Sequence, residues 1–135
     1  MTKTSPIKGL DELEVITLFV EDVAACKKFY LDVFGLEVIF EDADSALLRL
    51  RNLMLNLITV GEAPTLIEPN AVAAPTAGGR ALYTVRVDDA DAAAAELQAH
   101  GVTLLNGPID RPWGRRTAAF ADPAGNLWEI AQALD

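Results

Sequence analysis

Apolar residues recur along this chain at two spacings, and the spacings alternate in an order that occurs twice. Residues 14–20 are mostly β-branched and aromatic, the composition of a strand. After Asp22 the period changes. Cys26, Phe29, Tyr30 and Val33 then share one helical face, with Asp22 as N-cap and Gly35 as the left-handed stop. Three strands are predicted next, over 36–42, 46–51 and 53–60, separated by turns at Asp42-Ala43-Asp44-Ser45 and Arg51-Asn52.

Thr17-Leu18-Phe19-Val20-Glu21-Asp22 has a degenerate counterpart sixty-seven positions on, in Thr84-Val85-Arg86-Val87-Asp88-Asp89. A strand over 81–87 leads into a helix capped by Asp88 or Asp89. Its inner face is Ala90, Ala93, Ala94 and Leu97, and it stops at Gly101-Val102. Four alanines from Ala92 let that helix lie close on a sheet. Strands are expected at 103–105, 115–121 and 127–132, the last after Asp122-Pro123-Ala124-Gly125. That tetrapeptide suits a type I turn, with Asp first, Pro second and Gly fourth.

Each copy thus reads strand, capped helix, glycine stop and three strands. Neither makes a roomy core alone, so the two are expected to join around a cleft that both line. The expected organisation is one domain over 1–135, with a first module at 12–60 and a second at 80–133. Between them, 61–79 carries Pro64, Pro69, Pro75, Gly78 and Gly79 without any lasting period, which marks a linker or a lid over the cleft.

Composition narrows the functions open to such a molecule. A chain of 135 residues, 51% hydrophobic and 23% charged, suits a globular domain that buries roughly two thirds of its unfolded surface. Its net charge of −9 repels nucleic acid and anionic lipid but concentrates cations, besides aiding solubility. No apolar run approaches the length of a membrane span, and the arm over 1–9 is polar rather than leader-like. A cytoplasmic protein with neither nucleic-acid nor membrane partners is therefore expected. The lone Cys26 cannot form an internal disulfide and reads as a small buried hydrophobe.

Three pieces give the order β-α-β-β-β, twice, a family resemblance. They are Leu18-Phe19-Val20-Glu21-Asp22 with Phe29-Tyr30 and Phe34-Gly35-Leu36; Val85-Arg86-Val87-Asp88-Asp89 with His100-Gly101-Val102; and Pro112-Trp113-Gly114 followed by Asp122-Pro123-Ala124-Gly125-Asn126-Leu127-Trp128-Glu129. The chain resembles the vicinal oxygen chelate superfamily, which includes glyoxalase I, extradiol dioxygenases, methylmalonyl epimerase and the fosfomycin and bleomycin resistance proteins. The resemblance implies an α+β fold of two paired βαβββ modules, curved as a mixed sheet around a cleft, and a homodimer. It does not select an activity, since the fold hosts several chemistries and one pure binding role.

Metal-using members of this superfamily hold the ion with His, Glu or Gln on the first and last strands of each module. Carried over by position, those places fall on Val15, near Leu55 or Asn56, on Leu82 and on Glu129. Val15 and Leu82 offer no donor, and a divalent ion needs at least three, so no metal or other cofactor is expected. Glu14 would replace Val15 after a shift of one residue, but would turn to the opposite face. The single histidine, His100, is expected to meet the terminal carbonyls of its helix.

Strand alternation predicts an inward set of Val15, Thr17, Phe19, Leu82, Thr84, Arg86, Leu127, Glu129 and Ala131. Ile16, Leu18, Tyr83, Val85, Trp128 and Ile130 would pack under the helices. An apolar hollow with a few polar points is the usual character of a small-molecule pocket. Its expected ligand-binding residues are Val15, Thr17, Phe19, Asn56, Leu82, Thr84, Arg86, Trp113 and Glu129.

Glu129 is the candidate base or cation partner, or else it pairs with Arg86; a solitary carboxylate among apolar groups would have a raised pKa. Trp113 either stacks on a flat ligand or plugs the mouth. The neighbouring arginines bind an anion or balance the acidic surface. The leading expectation is a bleomycin-resistance-like protein holding an apolar, aromatic or cationic small molecule. A metal-dependent glyoxalase-like lyase, isomerase or dioxygenase using Glu129 stands beside it, as does a vestigial scaffold.

Overall fold

A computed structural model describes residues 5–135, so the first four residues of the expected polar arm lie outside the described residues. The strands are β1 (Val15–Val20), β2 (Glu37–Glu41), β3 (Ser45–Arg49), β4 (Met54–Thr59), β5 (Tyr83–Arg86), β6 (Asn106–Arg111), β7 (Arg115–Ala121) and β8 (Leu127–Ala133). The helices are α1 (Val23–Asp32), a short α2 (Pro64–Ile67) and α3 (Ala90–Ala99). Two four-stranded sheets result, ordered β1-β4-β3-β2 and β5-β8-β7-β6, with one parallel pair in each. This is the α+β arrangement of two βαβββ modules, with no closed barrel.

The helices start and stop for the same local reasons in both copies. Asp22 accepts from the Ala25 amide at 3.0 Å, and Asp89 accepts from the Ala92 amide at 3.0 Å, so Asp89 rather than Asp88 caps the second helix. Gly35 and Gly101 take φ of +70° and +83°, a conformation that costs a residue with a Cβ but not glycine.

The two modules share one core. Leu18, Val20, Leu55 and Leu57 from the first sheet and Phe120, Trp128 and Ile130 from the second belong to one buried cluster with Cys26 and Tyr30 of α1 and Ala94 and Leu97 of α3. The expected helix-facing set, Ile16, Leu18, Tyr83, Val85, Trp128 and Ile130, lies in or against this core.

Three expectations about elements are corrected. The sixth strand runs Asn106–Arg111, not 103–105, because Leu105 donates its amide to Ala119 at 2.7 Å and starts a pairing that Gly107-Pro108 interrupts without ending. Glycine followed by proline argues against a strand interior, and here the register shift between Asn106 and Ile109 accommodates it. The fifth strand begins at Tyr83, which leaves Leu82 outside the sheet and 49% exposed. The stretch 61–79 is not wholly irregular: a 3₁₀ turn and α2 occupy its first part, the latter with Pro64 at its start, where a missing amide costs nothing.

Among the described residues no helix is long and apolar enough to cross a membrane.

Candidate functional site

Each sheet turns its other face away from the helices. On the first, Thr17 of β1 is level with Asn56 of β4, and Asn56 with Leu47 of β3. On the second, Thr84 of β5 is level with Glu129 of β8, and Glu129 with Ala119 of β7. Val15, Thr17, Phe19 and Asn56 are half-buried on the first face, while Thr84 and Arg86 are exposed and Glu129 half-buried on the second. The alternation that buries Leu18 and Trp128 thus leaves these side chains on open surfaces.

Glu129 is held by a neighbour rather than by an ion pair. The Thr84 hydroxyl donates to Glu129 Oε1 at 2.8 Å. The alternative pairing with Arg86 is not formed, because Arg86 is level with Ala131, one step further along the strand pair. Among the described residues Glu129 has no salt bridge, so its carboxylate meets a hydroxyl and leaves its charge uncompensated.

Arg111, one of the three arginines around Trp113, pairs with no carboxylate among the described residues. It lies on β6, beside β7, and donates to Thr117 Oγ1 at 3.0 Å and Asn106 Oδ1 at 3.2 Å. Thr117 is level with Ala131 and Arg86, so Arg111 reaches over the row next to Glu129 and buries Thr117 to 1% exposure. Placing the sixth strand at 103–105 concealed this. The flanking of Pro112-Trp113-Gly114 by Arg111 and Arg115 was the available signal for a hairpin.

Trp113 stands at the tip of that hairpin, 66% exposed, so it plugs nothing within this chain. The other two arginines of the tip have local partners. Arg116 pairs with Asp91 at 2.9 Å and Asp110 at 2.8 Å, and Arg115 donates to the Gly114 carbonyl at 3.0 Å. Balancing of nearby acids, the blander of the two expectations, describes Arg116.

Where the sheets meet, a groove of about 250 Å³ runs between β1 and the stretch joining the modules. Thr17, Phe19, Tyr83 and Leu127 line one side, and residues 72–75 and 78–81 the other. The joining stretch lies tightly on the second module. A Cβ at Gly79 would stand 2.3 Å from Leu127 Cδ1, so only glycine fits there without displacing that side chain. Of the expected ligand-binding residues, Thr17 and Phe19 reach this groove; Val15, Asn56, Leu82, Thr84, Arg86, Trp113 and Glu129 do not line it.

A buried polar chain fixes the turn beside the groove. Asp122, 5% exposed, accepts from the Tyr30 hydroxyl at 2.6 Å, from the amides of Ala124 and Asn126 at 2.9 and 2.8 Å, and from Asn126 Nδ2 at 3.0 Å. Trp128 Nε1 donates onward to the Tyr30 oxygen at 2.9 Å. Burial, reinforced by the Asp122 charge, pushes the Tyr30 hydroxyl far above its ordinary pKa, which keeps it a donor. This chain ties α1 of one module to the last turn of the other. Sequence reasoning recognised the turn but not its partner.

The places that correspond to metal ligands offer a poor donor set. Val15 and Leu82 are aliphatic, and Leu82 is not on a strand. Glu129 and Asn56 occur on different sheets. Among the described residues no three His, Cys, Asp or Glu side chains are grouped so as to hold an ion. Glu14 precedes β1 and is exposed, its carbonyl accepting from the Met54 amide at 2.9 Å. Among the described residues, these positions supply fewer than the three donors that a zinc or calcium ion requires.

Residues 12–130 match the Glyoxalase/Bleomycin resistance protein/Dioxygenase superfamily. The chain is 32% identical to the uncharacterized protein YaeR of Escherichia coli (strain K12) over 129 residues, covering 90% of this chain and 96% of that protein. It is 30% identical to the uncharacterized protein YraH of Bacillus subtilis (strain 168), covering 88% and 96% of the two. Among solved structures, a glyoxalase/bleomycin resistance protein/dioxygenase from Nocardioides superposes with a TM-score of 0.82 at 23% identity, covering 99% of this chain and 87% of that one. TnmS3, an antibiotic binding protein from Streptomyces sp. CB03234, superposes with a TM-score of 0.68 at 26% identity, covering 94% and 99%.

Proposed function

The chain belongs to the Glyoxalase/Bleomycin resistance protein/Dioxygenase superfamily, and from that premise we propose that it binds a small, flat, largely apolar molecule bearing a positive charge, without a divalent ion. The ligand lies against the open sheet faces beside the inter-module groove. Glu129 supplies the counter-charge, and Val15, Thr17 and Phe19 supply apolar contact. Two copies of the chain form the working unit, the second covering faces that a single copy leaves half-open.

One observation carries this reading: a carboxylate held by a hydroxyl, with no cation paired to it among the described residues, while Val15 and Leu82, at two of the other metal-ligand positions, are aliphatic. Such a group attracts a ligand cation, whereas an ion would need two further donors. The likeness to an antibiotic binding protein at 26% identity supports binding as the activity. The overall charge of −9 favours a cationic guest.

The test is a panel of planar aromatic cations and their neutral isosteres, titrated calorimetrically against wild type and Glu129→Gln, with elemental analysis of the purified protein. Cations are expected to bind, and Glu129→Gln to weaken them about tenfold or more while sparing the neutral compounds. Stoichiometric nickel, zinc, iron or manganese would overturn the metal-free reading. A panel without any binder would overturn the ligand.

A further inference from the structure

The internal repeat makes the inner surface of α3 directly comparable with that of α1. Advancing by sixty-seven positions, Cys26, Phe29, Tyr30 and Val33 become Ala93, Glu96, Leu97 and His100. In the first module those side chains fill the space beneath the helix. Cys26 and Tyr30 are 1% and 0% exposed, and Phe29 meets Tyr30 edge-on with ring centres 5.2 Å apart. In the second module two of the four are smaller, and the other two are an acid and an imidazole.

The space they vacate is a hollow of about 170 Å³. Ala93, Glu96, Leu97 and His100, all four counterparts, line its α3 side. Val85, Phe120 and Ile130 form its floor, and Val33 and Phe34 from the end of α1 close it. Phe34 and Phe120 lie with ring centres 6.1 Å apart, giving an aromatic wall. The hollow is on the helix side of the second sheet, on the opposite surface from Glu129. His100 also borders a second hollow toward Thr103 and Leu105.

We propose that this hollow is a second ligand site, taking a one-ring aromatic amine whose ring enters among Phe34, Phe120 and Ile130 and whose ammonium meets Glu96. The size matches, since an apolar cavity of about 150 Å³ accepts benzene. The charge matches too. A simple packing gap would be bordered by apolar residues, as in the first module, whereas this one has a carboxylate and an imidazole on its α3 side. A ring fits the apolar floor and an ammonium complements the Glu96 carboxylate at the exposed rim, so a ligand with both uses more of the lining than either alone. The site stands whether or not Glu129 binds its own ligand.

The test uses benzylamine as probe, with toluene as the neutral ring and benzoate as the anion. Methyl resonances of Val85, Leu97 and Ile130 are followed by NMR in the full chain. Benzylamine is expected to shift them saturably and, at about a hundred times its Kd, to raise Tm by about 9 °C. Toluene should bind more weakly and benzoate not at all. Ala93→Leu, which fills the hollow, should abolish the shifts. Glu96→Gln, at an exposed position that leaves the core untouched, should cost benzylamine about tenfold and leave toluene unchanged. Glu129→Gln should change none of this, which separates the site from the open sheet face. Absence of saturable shifts with benzylamine would overturn the site, as would shifts that persist in Ala93→Leu. Equal binding of benzylamine and benzoate, or indifference to Glu96→Gln, would overturn the amine.

Discussion

The two modules follow one plan and fill it differently. Both cap their helix with an aspartate and stop it with a left-handed glycine, and both place the first strand parallel to the last. The first packs cysteine and aromatic rings under its helix and directs Tyr30 and Phe34 into its neighbour. The second packs alanine and leucine there and carries carboxylates, at Glu96 on the exposed rim of α3 and at Glu129 on the open face. Backbone instructions are therefore shared, whereas side-chain volume and charge have diverged. The first module is packed with larger side chains beneath its helix, and the second presents the two carboxylates on which the proposals rest.

Cutting the tie between the modules should produce the largest effect. Asp122→Ala removes the acceptor of four hydrogen bonds and strands the Tyr30 hydroxyl in the core. We expect a loss of about 4 kcal/mol in urea unfolding, with Tyr30→Phe losing about 2 kcal/mol because Asp122 keeps its amide donors. A loss below about 1 kcal/mol for Asp122→Ala would show that the modules are joined by apolar packing alone.

A matched pair of truncations compares the two fillings directly. Leu57 and Ile130 occupy equivalent places, each level with the first-strand residue of its own sheet, Leu18 and Val85 respectively. Leu57 is fully buried, while Ile130 borders the hollow beneath α3. Leu57→Ala should cost about 4 kcal/mol and Ile130→Ala about 2.5 kcal/mol, since a side chain beside a void has fewer contacts to lose. Equal losses would mean that the second core is packed as fully as the first.

How far the sequence reveals this molecule follows the same division. Periodicity, caps and glycine stops are local signals, so both modules, both helices and seven of the eight strands were legible in outline. The sixth strand was not, because Gly107-Pro108 denies it the usual signature and only pairing with β7 reveals it. On the site, alternation separated the open-face residues of β1, β5 and β8 from those under the helices. It could not show that Thr84 rather than Arg86 would meet Glu129, nor that Arg111 would cover Thr117, because both depend on register between strands. The Tyr30–Asp122 bond joins residues 92 positions apart, a distance over which no local pattern operates. His100 was expected at its helix carbonyls, and its backbone amide does meet those of Glu96 and Leu97; that its side chain borders a hollow shared with Phe34 and Phe120 depends on packing between modules.

The caps offer a smaller and symmetrical test. Asp22→Ala and Asp89→Ala each remove one side-chain acceptor from a first-turn amide at 3.0 Å, so each should cost about 1 kcal/mol. If the modules share backbone instructions as argued, the two losses should agree within a few tenths of a kcal/mol. A marked inequality would place the divergence in the helices themselves rather than in the side chains beneath them.

The smallest effect at neutral pH concerns Cys26, the counterpart of Ala93. Burial, reinforced by Asp122, Asp22 and Glu21, pushes its thiol from an ordinary value of 9.0 up to about 12. A folded-state value above the unfolded one favours the neutral, folded thiol. That stability is fully present below about pH 9 and is lost as pH rises toward about 12. Between pH 6 and 8 the native thiol should therefore resist iodoacetamide, and stability should not vary on its account. Above pH 9 the wild type should lose stability more steeply than Cys26→Ala, which gives the first module the residue that the second already has. Identical slopes would mean that the thiol ionises freely, and that the first helix covers its sheet no better than the second.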